Sequence, residues 1–261
     1  MKDTIEILRR VSRRMIQRLH PGLWRYGYLF GFDPRETDRT RAVVAAMFLK
    51  GCGIEIGALH NPVCVPTGVS VRYVDRLSKD DLERHYPELS HYELNRVDIV
   101  DDGETLGSIA DGSQDFVIAN QFLEHCENPI GALHNFMRVL HPGGILLFAV
   151  PDKRYGIDRT RPLTDLNHLV ACYRGSESRG RRALYEEGSR HVLKMGDARR
   201  VEAKADELMG KAYSIHFNVW TQAEVFELLA RLQSELEFPF SIELTYRMGV
   251  ELLLVLRKED E

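Results

Sequence analysis

Ile145–Val150 is an unbroken apolar run of strand length, and it closes a succession of such runs at Ile54–Ile56, Val69–Asp75, Val97–Val100 and Phe116–Ala119. Helical patterns stand between or before them at Thr37–Lys50, Lys79–Leu89 and Pro129–Leu140. Short apolar strands alternating with crossover helices bury both faces of a parallel sheet, so this order predicts a doubly wound α/β fold. After Val150 the rhythm stops. From about 152 to 216 the chain is charged and Arg-rich, with weak helical patterns at Leu163–Tyr173 and Ala203–Gly210 and no strands, which reads as a helical insertion forming a lid. The α/β pattern resumes at Thr221–Leu232, where Thr221 and Glu224 have capping-box spacing. Phe240–Tyr246 and Glu251–Leu256 then supply two closing strands, giving seven in all, mostly parallel with an antiparallel edge strand.

At 261 residues the chain suits one large domain, expected over 37–261, with the insertion at about 152–216. Residues 1–36 read separately. Ile5, Leu8, Met15 and Leu19 share one face of a basic amphipathic helix, and an aromatic connector (Trp24, Tyr26, Tyr28, Phe30, Phe32) follows His20-Pro21-Gly22. Packing on the domain is favoured over docking on a membrane surface. Residues 1–41 hold ten Lys/Arg against five Asp/Glu, which leaves −9 of the net −4 on the rest. So acidic a body argues against a nucleic-acid partner. Four widely spaced cysteines without a CxxC pair argue against a disulfide framework, and no apolar run reaches the roughly 20 residues of a membrane span. A cytoplasmic location is expected.

In a doubly wound sheet, ligands bind beyond the C-terminal strand ends at the switch point. Glu55-Ile56-Gly57 places an acid two residues before a glycine turn, with Ala58 next, and Asp75-Arg76 ends the second strand 18 residues after Gly57. Asp75 suits a pair of ribose hydroxyls. Asp102-Gly103 follows the third strand, where an acid and a permissive backbone can read an adenine edge, or Asp102 can cap a helix. Asn120-Gln121 follows the fourth. The full GxGxxG of nicotinamide enzymes is missing, and no HExxH or paired-ligand spacing appears, so no metal is expected.

The run Asp115–Asn120, then Leu123-Glu124-His125, then Arg138-Val139-Leu140-His141-Pro142-Gly143-Gly144 resembles the class I S-adenosylmethionine-dependent methyltransferases. The resemblance covers roughly Gly51–Lys258 apart from the insertion. It implies a seven-stranded Rossmann-like sheet and S-adenosylmethionine as cofactor. Glu55 and Gly57 would border its methionyl group, Asp75 its ribose, and Asp102 and Gly103 its adenine, with Ala58 and Arg76 also among the cofactor contacts. Asn120 and Gln121 would line the cleft. Two departures stand out: Gly57 is followed by Ala58-Leu59-His60-Asn61-Pro62 rather than further glycines, and Pro62 and Pro66 interrupt the expected helix between strands one and two. The segments Glu55–Pro62 and Glu124–Pro129 are most similar to bacterial methyltransferases of polysaccharide and glycoconjugate gene clusters. That implies methyl transfer to an oxygen of a sugar-like or other small polar acceptor. Nitrogen, carbon or a lipid head group is the alternative, and a non-catalytic nucleoside-binding module is the rival of another class. A hydroxyl acceptor needs a base, for which His125, Asp152, His168 and His216 are candidates. Arg154, Arg159, Arg161 and Arg174 could hold an anionic acceptor.

Overall fold

The computed structural model describes residues 34–176 and 180–260, so the basic helix and aromatic connector lie outside the described residues. Seven strands form one sheet: β1 (Cys52–Ile56), β2 (Ser70–Asp75), β3 (Ile99–Val100), β4 (Gln114–Asn120), β5 (Leu140–Pro151), β6 (Phe240–Met248) and β7 (Glu251–Lys258). Their order is β3-β2-β1-β4-β5-β7-β6. The first five are parallel, and β7 runs antiparallel to both β5 and β6, closing the edge as a hairpin. The chain leaves β1 outward to β3 and returns beside β1 at β4. That reversal opens a crevice beyond the C-terminal ends of β1 and β4.

Alternation sorts the strand side chains onto two covered faces. Phe116, Ile118, Leu147 and Val255 pack on one face with Val44, Ala45 and Leu49, from helix α1 (Pro34–Phe48) and the residue just beyond it. Val117, Ala119, Leu146 and Leu254 pack on the other face. There they meet α3 (Pro129–Val139) and α7 (Gln222–Leu236). Between β2 and β3 lie α2 (Lys79–His85) and a 3-10 turn, Pro87–Leu89, in place of one continuous helix. No helix separates β1 from β2, as the two prolines imply. Strand β3 keeps only two residues because it is an edge with one neighbour, and Val100 is exposed. Helix α3 ends at Val139, and register jumps from Gln114↔Leu140 to Phe116↔Ile145, so His141–Gly144 form a bulge at the start of β5.

The insertion divides in two. Helix α4 (Leu166–Tyr173) buries Leu166, Leu169 and Val170 in the main core, so this part belongs to the body. Helices α5 (Arg181–His191) and α6 (Ala198–Gly210) enclose a small core of their own, Tyr185, Ala205 and Phe217. Among the described residues, no helix is long and apolar enough to cross a membrane. The predicted cap of α7 forms: Thr221 Oγ1 accepts from the Ala223 amide (3.2 Å) and Glu224 accepts from the Thr221 amide (2.9 Å). Thr221→Ala should therefore cost about 1 kcal/mol in a denaturant titration. An unchanged midpoint would show that the cap adds nothing to packing.

Candidate functional site

A cavity of about 740 Å³ occupies the crevice at the switch point, and Gly57, Asp75, Arg76, Asp102, Gly103, Gln121 and His125 all line it. The chain turns out of β1 at Gly57, whose φ of +65° favours glycine, while its amide donates to the Val74 carbonyl (3.0 Å). A Cβ on Gly103 would sit 2.6 Å from both Ile56 Cγ2 and Phe122 Cζ, so only glycine keeps that wall open. Asp75 ends β2, and burial raises its carboxyl pKa against the lowering effect of the Leu77 and Arg76 amides. Arg76 is pinned by donating to the Ala212 carbonyl (2.8 Å) and the Tyr86 hydroxyl (3.2 Å). Asp102 accepts from the Glu104 amide (2.8 Å) and so holds its own turn; no helix follows it to cap. Gln121 takes a left-handed conformation (φ +52°) and donates to Glu251, which pairs with Arg41 at 2.8 Å. Six carboxylates face this cavity against two arginines, a field that favours a cationic ligand.

Three expected cofactor residues do not line the cavity. Glu55 turns beneath the loop, where both carboxyl oxygens lie 3.1 Å from the Val63 amide that donates to them. Burial drives its pKa up to about 7, against the lowering effects of that amide and of Arg41. Ala58 lies outside the lining, and Asn120 has both amide atoms buried without a hydrogen-bond partner. Arg41 and Glu251, the buried pair behind Gln121, went unread. Each looks in sequence like an ordinary charged residue of a helix or strand end, and only the sheet brings them together.

A second cavity, about 580 Å³, lies beneath α5 and α6, and Glu88, His125, Tyr213 and Ser214 line both. His216 lines the second. The segment carrying it is fastened to the 3-10 turn Leu123–His125: the Glu124 carbonyl accepts from the amides of Phe217 (2.7 Å) and Asn218 (3.0 Å). The His125 and His216 rings consequently meet edge to face, 4.7 Å between centroids. Burial, with the charge of His216, pushes His125 down to about 3, too low for a base near neutral pH. His216 is raised: burial opposes this, but the Asp158 carboxylate 2.6 Å from Nδ1 prevails. Glu124 is fully buried between them and is raised by that burial to about 7.

Two base candidates line neither cavity. Asp152 is buried where it pairs with Arg154 (2.6 Å) and accepts from the Gln222 amide at the start of α7, and it lines neither cavity. His168 sits on α4, which packs in the main core, with Cys172 Sγ 3.5 Å from Nε2 and neither cavity beside it. The arginines divide likewise. Arg161 is buried and bound to Asp158 (2.9 Å), Glu187 (2.8 Å) and the His216 carbonyl (2.8 Å), so it builds the site rather than awaiting an anion. Arg154 pairs with Asp152, Arg174 donates to the Glu235 carbonyl (3.3 Å), and Arg159 is exposed.

The Glu55 shift has a measurable sign. Below its unfolded pKa of 4.5 the carboxyl is protonated in both states, and above about 7 it is ionised in both. Between those values folding takes up a proton, so stability falls as pH rises. Glu55→Gln should match the native chain near pH 4 and exceed it by roughly 2–4 kcal/mol at pH 8. Parallel stability curves would place Glu55 ionised in the core throughout.

Residues 52–148, from the start of β1 into β5, match a family model described as a methyltransferase domain. No curated protein matches the chain significantly. Among solved structures, a Rhodobacter sphaeroides protein described as a candidate Zn-dependent alcohol dehydrogenase aligns with TM-score 0.51 and 14% identity, over 85% of this chain and 89% of that one. That likeness shows the fold alone. A Thermotoga maritima S-adenosylmethionine-dependent methyltransferase, described as a possible histamine N-methyltransferase, aligns with TM-score 0.49 and 16% identity over 90% and 94%. The CurJ carbon methyltransferase aligns with TM-score 0.43 and 15% identity, over 81% of this chain but only 49% of its own. Residues 52–148, which include the strands that build the first cavity, thus match a methyltransferase domain, which indicates an enzyme with S-adenosylmethionine as its cofactor.

Proposed function

We propose that the enzyme methylates an oxygen of a small polar, sugar-like acceptor, with the cofactor in the first cavity and the acceptor in the second. The observation that carries this reading is the shared wall. His125 and Ser214 face both cavities, so a donor and an acceptor in the two would meet there. In the first cavity Asp75 would accept from the ribose hydroxyls beside Arg76, Asp102 and Gly103 would border the adenine, and Gly57 and Gln121 the methionyl end. Glu55, Ala58 and Asn120 would support that end from behind. The sulfonium is itself a strong methyl donor, so the protein's task is to align the acceptor oxygen with the S–CH3 bond and to exclude water. Helices α5 and α6, with their separate core, are suited to covering the reactants. The second cavity mixes apolar side chains (Ile157, Val192, Leu208) with Lys204 and Lys211, a lining that suits a small molecule with polar edges. A sugar-like acceptor and polysaccharide-type biosynthesis are supported by the resemblance of Glu55–Pro62 and Glu124–Pro129.

Calorimetric titration with S-adenosylmethionine, S-adenosylhomocysteine and NAD tests the first half, and mass spectrometry of an acceptor panel headed by sugars tests the second. Asp75→Ala should weaken both sulfur ligands about 5- to 150-fold, the 1–3 kcal/mol of hydrogen bonds to a charged acceptor. Unchanged affinity would remove Asp75 from the cofactor site. Methylation only of amines or lipids would replace the oxygen acceptor.

A further inference from the structure

Glu124 is the most anomalous polar group among the described residues. It is 0% exposed, and neither carboxyl oxygen has a hydrogen-bond partner, although its own amide and the His216 ring lie near enough to lower its pKa. A buried carboxylate left like this costs several kcal/mol unless a cation covers it. One donor atom each from Glu124, His125 and His216 lies within 4.8 Å of the other two.

Both imidazoles are engaged through Nδ1, which leaves Nε2 for a ligand role. His125 Nδ1 lies 2.9 Å from the Ile215 carbonyl oxygen, which can only accept, so Nδ1 carries the proton and Nε2 the lone pair. His216 Nδ1 lies 2.6 Å from the Asp158 carboxylate and donates to it, so Nε2 is the nitrogen that a metal would take in exchange for its proton. Asp158 is in turn held by buried Arg161. A histidine whose second nitrogen donates to a carbonyl or carboxylate is the usual outer support of a metal ligand.

We propose that Glu124, His125 and His216 hold a divalent transition-metal ion, zinc first, at the junction of the two cavities. Two imidazoles and a carboxylate are a three-ligand set that leaves a coordination position open. Metal–ligand bonds of about 2.0–2.2 Å put tetrahedral donors about 3.4 Å apart, so the three close in by on the order of 1 Å. The metal's role rests on the reading of the second cavity as the acceptor site. There the open position takes the acceptor hydroxyl, and the ion lowers that hydroxyl's pKa. The O–H proton passes to water. The oxygen lone pair then forms the O–CH3 bond as the C–S bond breaks, and its electron pair stays on sulfur as a neutral thioether. No oxidant or reductant is needed. No local spacing in the sequence signals this set, because His216 lies far along the chain from the adjacent Glu124 and His125.

The test titrates the purified full chain with zinc against a chromophoric chelator, and measures S-adenosylhomocysteine affinity on the same samples. One zinc per chain is expected. Glu124→Gln and His216→Ala should weaken it at least about 100-fold, and Asp158→Asn about 10- to 100-fold, all with cofactor affinity within twofold of native. Cobalt replacing zinc in the native chain should show the strong visible bands of a four- or five-coordinate site, a readout independent of whether any variant folds. Cofactor binding without zinc binding, variants that bind zinc like the native chain, or a cobalt spectrum of the hydrated ion would overturn the site and leave the cofactor reading intact. Zinc bound as expected with no cofactor affinity would support the metal site and overturn the two-cavity reading instead.

Discussion

The two hydrogen bonds from the Phe217 and Asn218 amides to the Glu124 carbonyl hold the site together. They fasten the end of the helical insertion to the turn after β4, the strand beside the switch point. Asn218 reinforces the joint by donating through its side chain to the Cys126 carbonyl (2.7 Å). Everything particular to this enzyme depends on that attachment: the contact of two histidines, the wall between two cavities, and the position of α5 and α6 over the crevice. The parallel sheet supplies a cofactor cleft of general design, and the splice supplies what sits opposite it. Arg161 makes the joint rigid, since one buried guanidinium binds Asp158, Glu187 and the His216 carbonyl at once.

The sheet was legible because its central strands are buried on both faces, which forces unbroken apolar runs such as Ile145–Val150. Asp75, Gly57 and Gly103 were legible because backbone geometry at a strand end restricts what can stand there. Where burial is one-sided or partners are distant, legibility failed. Helix α5 was invisible since it buries Tyr185, Gly188 and Ser189, two of them too small to make an apolar stripe. Glu55 has the right place on β1, yet the loop of Gly57–Val69 folds back and captures its carboxyl through the Val63 amide. His168 and Asp152 follow the last parallel strand in sequence, but α4 packs into the core and Asp152 joins the start of α7, which takes both away from the cleft. No local pattern could pair Glu124 with His216 or Arg41 with Glu251, because tertiary structure alone makes them neighbours.

The placement of β7 has a consequence for how the chain is made. β5 is a central strand, yet one of its two neighbours, β7, is the last strand of the sheet to be synthesised, separated from it by the whole insertion and α7. A ribosome that has released residues through α6 holds a nascent chain whose most apolar strand shows an open row of backbone donors and acceptors on one side. Such an edge invites pairing with other chains, and long-range closure is slow. The charged, Arg-rich helices emerging in that interval would counter such pairing by charge repulsion. The insertion would serve, before folding is complete, as a guard for the unfinished sheet.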